Sequence, residues 1–326
     1  MGDVHYVVSG DIMVPAAETP FAKDEAFGFT KSNLREYVEE KTGGKIKARD
    51  VVSISIEDIR IGGPAAVREK LSVLTDMKAC VVNAVTHRDV ETFVLGLLES
   101  EKKDGKRFLM RSAASLVQAR LGLPKRPILD ASVINLDGCG ADRGGLVVVG
   151  SYVSKTTQQL KRLLQPPENA EEEKMNLEDI KLEASGLVDP ERQGEIIEDA
   201  IARADSAMRG GQTAVVYTSR DLLRGGSAEE GLSIGNDISE ALVSVVSGLT
   251  VTPRFIIAKG GITSSDVATG ALGIRRAIVL GQAAPGVPVW KIGDEGRFPG
   301  ASYVVFPGNV GSEDDLARLV QRLSSA

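Results

Sequence analysis

The stretch FIIAKGGITSSDVATGALG, residues 255–273, has the pattern of a buried strand that runs into a glycine turn and then a helix. Because glycine has no Cβ, the KGG segment at 259–261 lets the backbone approach an anion closely. Free N–H groups at the start of a helix favour negative charge at the same place. Lys259 could add a positive charge, and Thr263 or Ser264 a hydroxyl donor. The stretch therefore fits a phosphate cradle for a nucleotide.

The same residues also fit an ordinary strand-to-helix turn. Thr263 would then be the N-cap of the helix, and Asp266, three residues further on, would close a capping box. The stretch lacks the GxxxxGK(S/T) spacing of a P-loop. On this stretch alone, both interpretations stay open.

The composition is typical of an ordinary soluble globular protein of about two domains. Lys and Arg number 39 against 45 Asp and Glu, a formal net charge of −6, so nothing favours nucleic acid or an anionic membrane as a partner. No run approaches the roughly 18 apolar residues of a membrane span, and the first residues do not have the pattern of a signal peptide. Cys80 and Cys139 have no metal-like spacing, which favours a reducing, cytoplasmic location.

Strand and helix patterns alternate along the chain. This order predicts an α/β fold of two domains, each a mainly parallel β-sheet flanked by helices, with a cleft between them. Residues 1–122 form the first predicted domain and residues 146–326 the second. The segment 123–145 contains two prolines and four glycines, which predicts a linker or hinge.

In the second predicted domain, four strands end in small polar turns. If the sheet is parallel, all four turns lie at its carboxyl edge, where open α/β folds bind ligands. Four such turns together predict a phosphate and sugar site. They are Gly150-Ser151, Thr218-Ser219-Arg220, residues 259–266 and residues 307–311.

The other catalytic signals are sparse. The sequence has no His-paired nucleophile motif, no HExxH and no GxSxG, so triad hydrolysis and zinc chemistry rank low. Phosphoryl transfer fits better, since it requires mainly positioning and charge stabilisation. In the first domain, Arg111 follows a predicted strand at 107–110 and could bind a carboxylate bidentately. A solvated or structurally paired arginine fits at least as well.

Several long segments resemble four-carbon acid sugar kinases, the family that includes 3-oxo-tetronate and erythronate-type kinases. VVVGSYVSKTTQQL, VVYTSRDLL, FIIAKGGITSSDVAT, VLGQAAPGVPVW and YVVFPGNVG are similar to its C-terminal nucleotide-binding domain, in the same order and spacing. ETPFAKD, VVSISI, VVNAVTHRD and RFLMRSAAS are similar to the later part of its substrate domain. The chain looks closest to the kinase segment of plant fusion proteins, in which dehydrogenase-like and class II aldolase-like modules flank it.

The resemblance implies that ATP and Mg²⁺ are the cofactors and that a small sugar acid is the substrate. Arg111 would be a substrate contact. Asp266, the acid nearest the phosphate turn, is a candidate base, although helix capping or organising Mg²⁺ fits equally well. No residue is assigned as a metal ligand. By position, the implied ATP-binding residues are Ser151, Gly260, Gly261, Ile262, Thr263 and Gly308, with Lys259, Ser264 and Asn309 supporting the phosphates.

One departure from the family pattern matters for the expected activity. The family begins with an acidic DDxTGA-type turn, which this sequence lacks. We therefore expect the N-terminal part of the substrate domain to be missing, and the chain to bind nucleotide but to turn over sugar acids poorly. The alternative is a catalytically incomplete nucleotide-binding or structural segment of a larger multidomain enzyme, with covalent neighbour domains or a homo-oligomer as partners. A dinucleotide-dependent oxidoreductase ranks third, because no GxGxxG fingerprint is present.

Overall fold

The structure, a computed structural model, describes residues 2–9, 11–23, 28–134, 142–165, 175–220 and 228–325. It divides into two compact units, Met1–Lys125 and Arg126–Ala326. Of the predicted linker, residues 126–134 lie within the second unit, where Ile134 is fully buried. Residues 135–141 lie outside the described residues.

The first unit contains two small sheets, and helices pack with the parallel one of them in a single core. Its strands are β1 (Tyr6–Ser9), β2 (Ile12–Pro15), β3 (Val52–Ile54) and β4 (Cys80–Val82); its α-helices are α1 (Leu34–Lys41), α2 (Ile56–Arg60), α3 (Gly63–Ser72), α4 (His87–Asp104) and α5 (Ala114–Arg120), and its short 3₁₀-helices are Ala16–Glu18, Pro20–Lys23 and Ala48–Asp50. β1 and β2 form an antiparallel hairpin, whereas β3 and β4 are parallel. Capping boxes begin α2, with Ser55 and Asp58, and α4, with Thr86 and Asp89, so side chains satisfy the free N–H groups at both helix starts.

The strand predicted at 107–110 is wrong. This segment has no regular secondary structure, and Phe108 and Met110 pack against the helical core of the first unit. The short apolar run that suggested a strand therefore serves packing against the core of this unit. In the described part of this unit, the parallel sheet has two strands and is smaller than expected.

The second unit contains one seven-stranded sheet, in the order β6-β7-β5-β8-β11-β10-β9. Its strands are β5 (Leu146–Val149), β6 (Leu177–Leu182), β7 (Thr213–Thr218), β8 (Ile256–Lys259), β9 (Ala277–Ala284), β10 (Val287–Ile292) and β11 (Ser302–Phe306); its helices are α6 (Ala131–Ile134), α7 (Ser154–Leu164), α8 (Ala184–Leu187), α9 (Pro190–Arg209), α10 (Ala228–Gly248), α11 (Gly261–Asp266), which continues as a π-helical turn at Val267–Ala271, and α12 (Asp315–Ser324). The first five strands in the sheet order are parallel. β10 is antiparallel to both of its neighbours.

Helices cover both faces of the parallel part of this sheet. All four residues of β5 are fully buried, as expected for a parallel strand covered on both sides. Leu146 and Val148 belong to the core formed with α9 and α10, whereas Val147 and Val149 belong to the core formed with α7 and α12. The predicted two-unit α/β fold is confirmed.

The apolar run at 277–280 predicts the start of β9 but not its full length, and β10 was not predicted. In the structure β9 continues to Ala284, and the chain turns back into β10 at Gly286, which has a φ of 76°. A Pro-Gly pair between two apolar runs is a turn signal, so this hairpin could have been predicted. It adds two antiparallel strands beyond β11.

Candidate functional site

Strands β5 and β8 are neighbours, and the helices that follow them lie on opposite faces of the sheet. After β5, α7 packs with α12; after β8, α11 and its π-helical turn pack with α10. Neighbouring parallel strands whose connections diverge in this way open a crevice at their carboxyl ends. The turns after β5 and β8 border this crevice.

Ser151, two residues after β5, is where three turns meet. A Cβ on Gly260 would lie 2.8 Å from the Cβ of Ser151, and a Cβ on Gly308 would lie 2.7 Å from its Oγ. A Cβ on Gly150 would lie 2.4 Å from the Oγ1 of Thr263. Gly260 also has a φ of 123°, a conformation that strongly favours glycine. The turns after β5, β8 and β11 therefore come together through three glycines.

Side chains of α7 fix the turn after β11. Thr156 Oγ1 donates a hydrogen bond of 2.8 Å to the carbonyl of Gly308. Gln159 Nε2 donates to the carbonyls of Val310 and Ser312, at 3.1 and 2.6 Å. These bonds hold the turn against the first helix after β5, and so beside Ser151.

The turn after β7 contacts Ser151 through Arg220. Its Nη2 donates a hydrogen bond to the carbonyl of Ser151, and its Cζ lies 4.9 Å from the centre of the Tyr152 ring. Burial lowers the pKa of the guanidinium. Nε and Nη1 of Arg220 and the hydroxyl of Tyr152 are buried without a hydrogen-bond partner among the described residues. Buried polar groups of this kind call for a partner, and an anion would satisfy the arginine.

Lys259 is fully buried and faces the turn after β11. Its Nζ donates hydrogen bonds to the carbonyls of Pro307 and Gly308, at 2.6 and 3.3 Å, and lies 4.0 Å from the centre of the Phe306 ring. Burial, followed by the charge of Lys155, lowers the pKa of Lys259 to about 7. The ammonium of Lys259 thus stabilises the turn after β11. Any support that Lys259 gives to the phosphates would therefore be indirect, through the position of that turn.

Ser264 and Thr263 are buried. The Ser264 Oγ donates a 2.7 Å hydrogen bond to the carbonyl of Ala258, and its own carbonyl accepts one of 2.7 Å from the Tyr303 hydroxyl. The N-cap of α11 is Gly260, with no side-chain cap. The alternative in which Thr263 caps the helix is therefore wrong.

Three predicted nucleotide residues lie at the surface beside these turns. Gly261 is exposed, and a Cβ built there would meet nothing within 4 Å. Ile262 is 76% exposed, and Asn309 is exposed as well. The protein thus leaves space next to Gly261 that a ligand can occupy.

Asp266, the candidate base, contacts α10. Its Oδ2 accepts a 2.5 Å hydrogen bond from the Ser239 hydroxyl. This bond joins α11 to α10. No capping box is seen here, and one oxygen of the candidate base is engaged in a structural hydrogen bond.

Arg111, the candidate substrate contact, lies in the first unit and pairs with Tyr37. Its Nη2 donates a 3.0 Å hydrogen bond to the Tyr37 hydroxyl, and its Cζ lies 5.4 Å from the centre of that ring. The ring of Phe29 contacts Tyr37 edge-on, with centroids 5.5 Å apart. These contacts agree with the alternative in which Arg111 is paired with another residue of the protein for a structural reason. Because Arg111 is exposed, a carboxylate contact stays a prediction.

Sequence reasoning did not select the side chains of Arg220, Tyr152 or Thr156. Arg220 was noted only as part of a turn, and its contact with Ser151 joins residues 69 positions apart. The sequence does show an arginine that follows a buried strand and two hydroxyl residues, Thr218 and Ser219. Because the order of the strands in the sheet was not known, this pattern did not indicate that Arg220 contacts Ser151.

The described ranges contain no group of three or more His, Cys, Asp or Glu side chains that could hold a metal ion. None of the helices in the same ranges combines the length and apolarity needed to traverse a bilayer.

Two domain families match nearly the whole chain. A nucleotide-binding C-terminal domain matches residues 146–316, and a sugar-binding N-terminal domain matches residues 1–120. The sugar-binding domain is thus present, which corrects the expectation that its N-terminal part is missing. No functionally curated protein gave a significant match.

The fold is similar to that of solved structures. A Salmonella typhimurium LT2 protein, whose structure is named that of a "putative tRNA synthase", superposes with a TM-score of 0.60 at 18% identity over 97% of this chain and 70% of its own. The Haemophilus influenzae protein HI1011, of the DUF1537 family, gives a TM-score of 0.52 at 19% identity over 98% of this chain and 71% of its own. At these identities the likeness shows a shared fold alone.

Proposed function

Because this chain belongs to the four-carbon acid sugar kinase family, we propose that it transfers the γ-phosphoryl group of ATP to a hydroxyl of a four-carbon sugar acid. The substrate class is that of oxo-tetronates and erythronates. One observation supports the nucleotide site above all others: four turns meet at Ser151, and the buried Arg220 N–H groups beside it have no partner among the described residues. A kinase of this type works where ATP is supplied, which fits the cytoplasmic location expected from the sequence.

The phosphates of ATP fit the crevice around Ser151. Glycines at 150, 260 and 308 allow the backbone to approach them. The N-cap of α7 is Val153, which provides no side-chain cap, so the first N–H groups of this 11-residue helix are available to an anion. The free Nε and Nη1 of Arg220 can each donate a charge-assisted hydrogen bond to a phosphate oxygen. Lys259 and Thr156 hold the turn after β11 in place.

ATP supplies the transferred phosphoryl group, and the described residues contribute mainly positioning and charge, which is what phosphoryl transfer requires. Magnesium would arrive with the phosphates, and no step is assigned to it. Arg111 remains the proposed contact for the acid group of the substrate. The position of Asp266 gives no support for proton removal by its carboxylate.

A catalytically incomplete nucleotide-binding segment is the second proposal. It is favoured by the engagement of Asp266 with Ser239, which leaves the general base unassigned. A coupled ADP-release assay with erythronates, threonates and their 2- and 3-oxo forms separates the two proposals. Turnover on the order of 1 s⁻¹ or more supports the kinase, whereas ATP binding without turnover supports the incomplete segment.

The nucleotide site is tested by calorimetric titration of ATP·Mg²⁺, ADP and NAD(P)⁺ into the wild type and Gly261→Val. A Cβ at Gly261 meets no protein atom within 4 Å, so the variant should fold normally while its side chain enters the phosphate space. We expect a loss of about 2–3 kcal/mol in ATP binding, the scale of a lost hydrogen bond to a charged group.

Gly194→Val is the matched control, because Gly194 in α9 is equally exposed and its Cβ also meets nothing within 4 Å. It should keep wild-type affinity. A folded Gly261→Val with unchanged ATP affinity would contradict the site. Tighter binding of NAD(P)⁺ than of ATP would favour the oxidoreductase.

A further inference from the structure

A groove of about 460 Å³ begins at Gly261 and extends away from Ser151. One wall is the side of α11 and its π-helical turn, with Ser265 and Thr269, and the other is the segment 274–277. Val279, Trp290 and Val305, from β9, β10 and β11, form the floor. The volume is within the range of small-molecule sites, about 300–1,000 Å³.

Two of the three floor residues, Val279 and Trp290, belong to the β9–β10 hairpin and so to the outer part of the sheet. α11 contacts β8 and β11, and the hairpin of β9 and β10 lies beyond them in the sheet order. On the opposite face, Leu129 and Ile134 pack with β9, β10 and α12 in the second core. Val279 on the groove side is 63% exposed. The groove face of the hairpin therefore presents an exposed apolar side chain to a ligand.

We propose that this groove binds the base and ribose of the nucleotide, an inference that rests on the proposed function. Gly261 belongs to both the phosphate turn and the groove, so a ligand with phosphates at Ser151 can extend directly into it. The indole of Trp290 is fixed by its contact with Tyr303, at a centroid distance of 5.9 Å, and offers an aromatic surface for stacking with a base.

The polar groups of the groove suit the remainder of a nucleoside. Ser265 and Thr269 are exposed on one wall, and their oxygens can bond to ribose hydroxyls or base edges. Arg275 on the other wall is exposed and forms no ion pair among the described residues. An apolar floor with a few polar groups at its rim is the usual composition of a small-molecule site.

Val279→Glu tests the groove without disturbing the phosphate turn. Ile278→Glu is its matched control, because Ile278 is adjacent on β9, is 66% exposed and does not line the groove. We expect ADP affinity to fall about tenfold or more in Val279→Glu, the scale of one lost base-stacking contact. Tripolyphosphate affinity should be unchanged, and Ile278→Glu should bind both as the wild type does.

Trp290, the only tryptophan of the chain, provides a second readout on the unmodified protein. Adenosine and ADP should change its fluorescence, whereas tripolyphosphate should bind without a comparable change. If Val279→Glu keeps wild-type ADP affinity and adenosine leaves the fluorescence unchanged, the base lies elsewhere and this inference is overturned while the phosphate site stands.

Two further outcomes separate the remaining explanations. If Val279→Glu binds ADP normally but alters the sedimentation of the protein, the face contacts a second copy of the chain, and the groove inference is overturned. If the wild type binds neither ADP nor tripolyphosphate, the proposed function fails, and the groove assignment fails with it.

Discussion

The polar residues at the carboxyl edges of the two parallel sheets differ in whether their hydrogen-bonding groups have partners within the protein. In the first unit, after β4, Asn83 donates hydrogen bonds to the carboxylate of Asp3 and the carbonyl of Ile54, at 2.7 and 3.0 Å, and accepts one of 2.9 Å from the backbone of Asp3. In the second unit, after β7, Arg220 keeps two buried nitrogens without a described partner. The first edge uses its polar groups to hold the fold together, and the second leaves them for a ligand.

Glycines at the second edge are a further feature that suits it to ligand binding. At the second edge, Gly150, Gly260 and Gly308 bring backbone segments closer than any side chain allows. These contacts form a crevice wall of backbone groups, which is the usual means of approaching phosphate. A polar residue at a strand end therefore indicates a ligand site only when the surrounding backbone leaves its groups unpaired.

The largest expected effect comes from removing the unpaired arginine. Arg220→Ala should weaken ATP binding by about 1.5–3 kcal/mol, since hydrogen bonds to charged groups are lost. Arg220→Lys should recover part of this affinity, because an ammonium keeps the charge but not the planar fork. Calorimetric titration of ATP·Mg²⁺ measures both.

Arg111→Ala is the control for the charge change, since Arg111 is an exposed arginine that already has the Tyr37 hydroxyl as a partner. It should leave ATP affinity unchanged and, if it contacts the acid substrate, raise the KM for that substrate alone. Equal ATP affinities for Arg220→Ala and Arg111→Ala would mean that the contrast between the two edges has no functional meaning.

A further effect, on the pH dependence of stability and not on ligand binding, is expected from the buried Lys259 at the second edge. Lys70 in the first unit contacts the Asp58 carboxylate at 2.6 Å, whereas the hydrogen bonds of Lys259 go only to carbonyls. The pKa of Lys259 falls from 10.5 to about 7 because of burial. Between these values the folded state binds fewer protons than the unfolded state, so the free energy of unfolding should rise with pH in that window.

Lys259→Met removes this titration. The difference in free energy of unfolding between wild type and variant, from urea denaturation, should grow with pH above about 7 by at most about 1.4 kcal/mol per pH unit. The other titrating groups contribute equally to the free energy of unfolding of both proteins, so their contributions cancel in the difference. A difference that is constant from pH 7 to pH 10 would show that Lys259 keeps its proton in the folded protein.

The sequence predicted the parallel part of the second sheet well because several of its strands, such as β5, are continuous apolar runs. β5, β8 and β11 each end at or next to the polar turn that was predicted to follow them. The strand prediction for 107–110 failed because a short apolar run can pack against helices without forming a strand. Local pattern does not distinguish these two uses.

The candidate site was predicted at the level of turns and only partly at the level of side chains. Convergence of the turns follows from the parallel order, which the alternating elements imply. The direction of each side chain does not follow, since Lys259 and Ser264 bond to backbone carbonyls fixed by tertiary packing. The importance of Arg220 depends on which donors remain unpaired, and that is a property of the complete fold.

The smallest expected effect concerns Asp266. It lies at the second edge but, like Asn83 at the first edge, it is hydrogen-bonded to another residue of its own unit. Asp266→Asn keeps an oxygen that can accept the Ser239 hydrogen bond, so we expect a destabilisation of about 1 kcal/mol or less and unchanged ATP affinity. Ser239→Ala removes the same bond from the other side and should have a similar effect on urea unfolding. If the protein turns over a sugar acid, we expect Asp266→Asn to retain that rate, because the carboxylate already serves as the partner of Ser239. A general base typically contributes 10²–10⁴-fold. If Asp266→Asn folds but loses rate on that scale, while Ser239→Ala stays active, Asp266 is identified as the base. It would then belong with the residues of the second edge that serve a ligand.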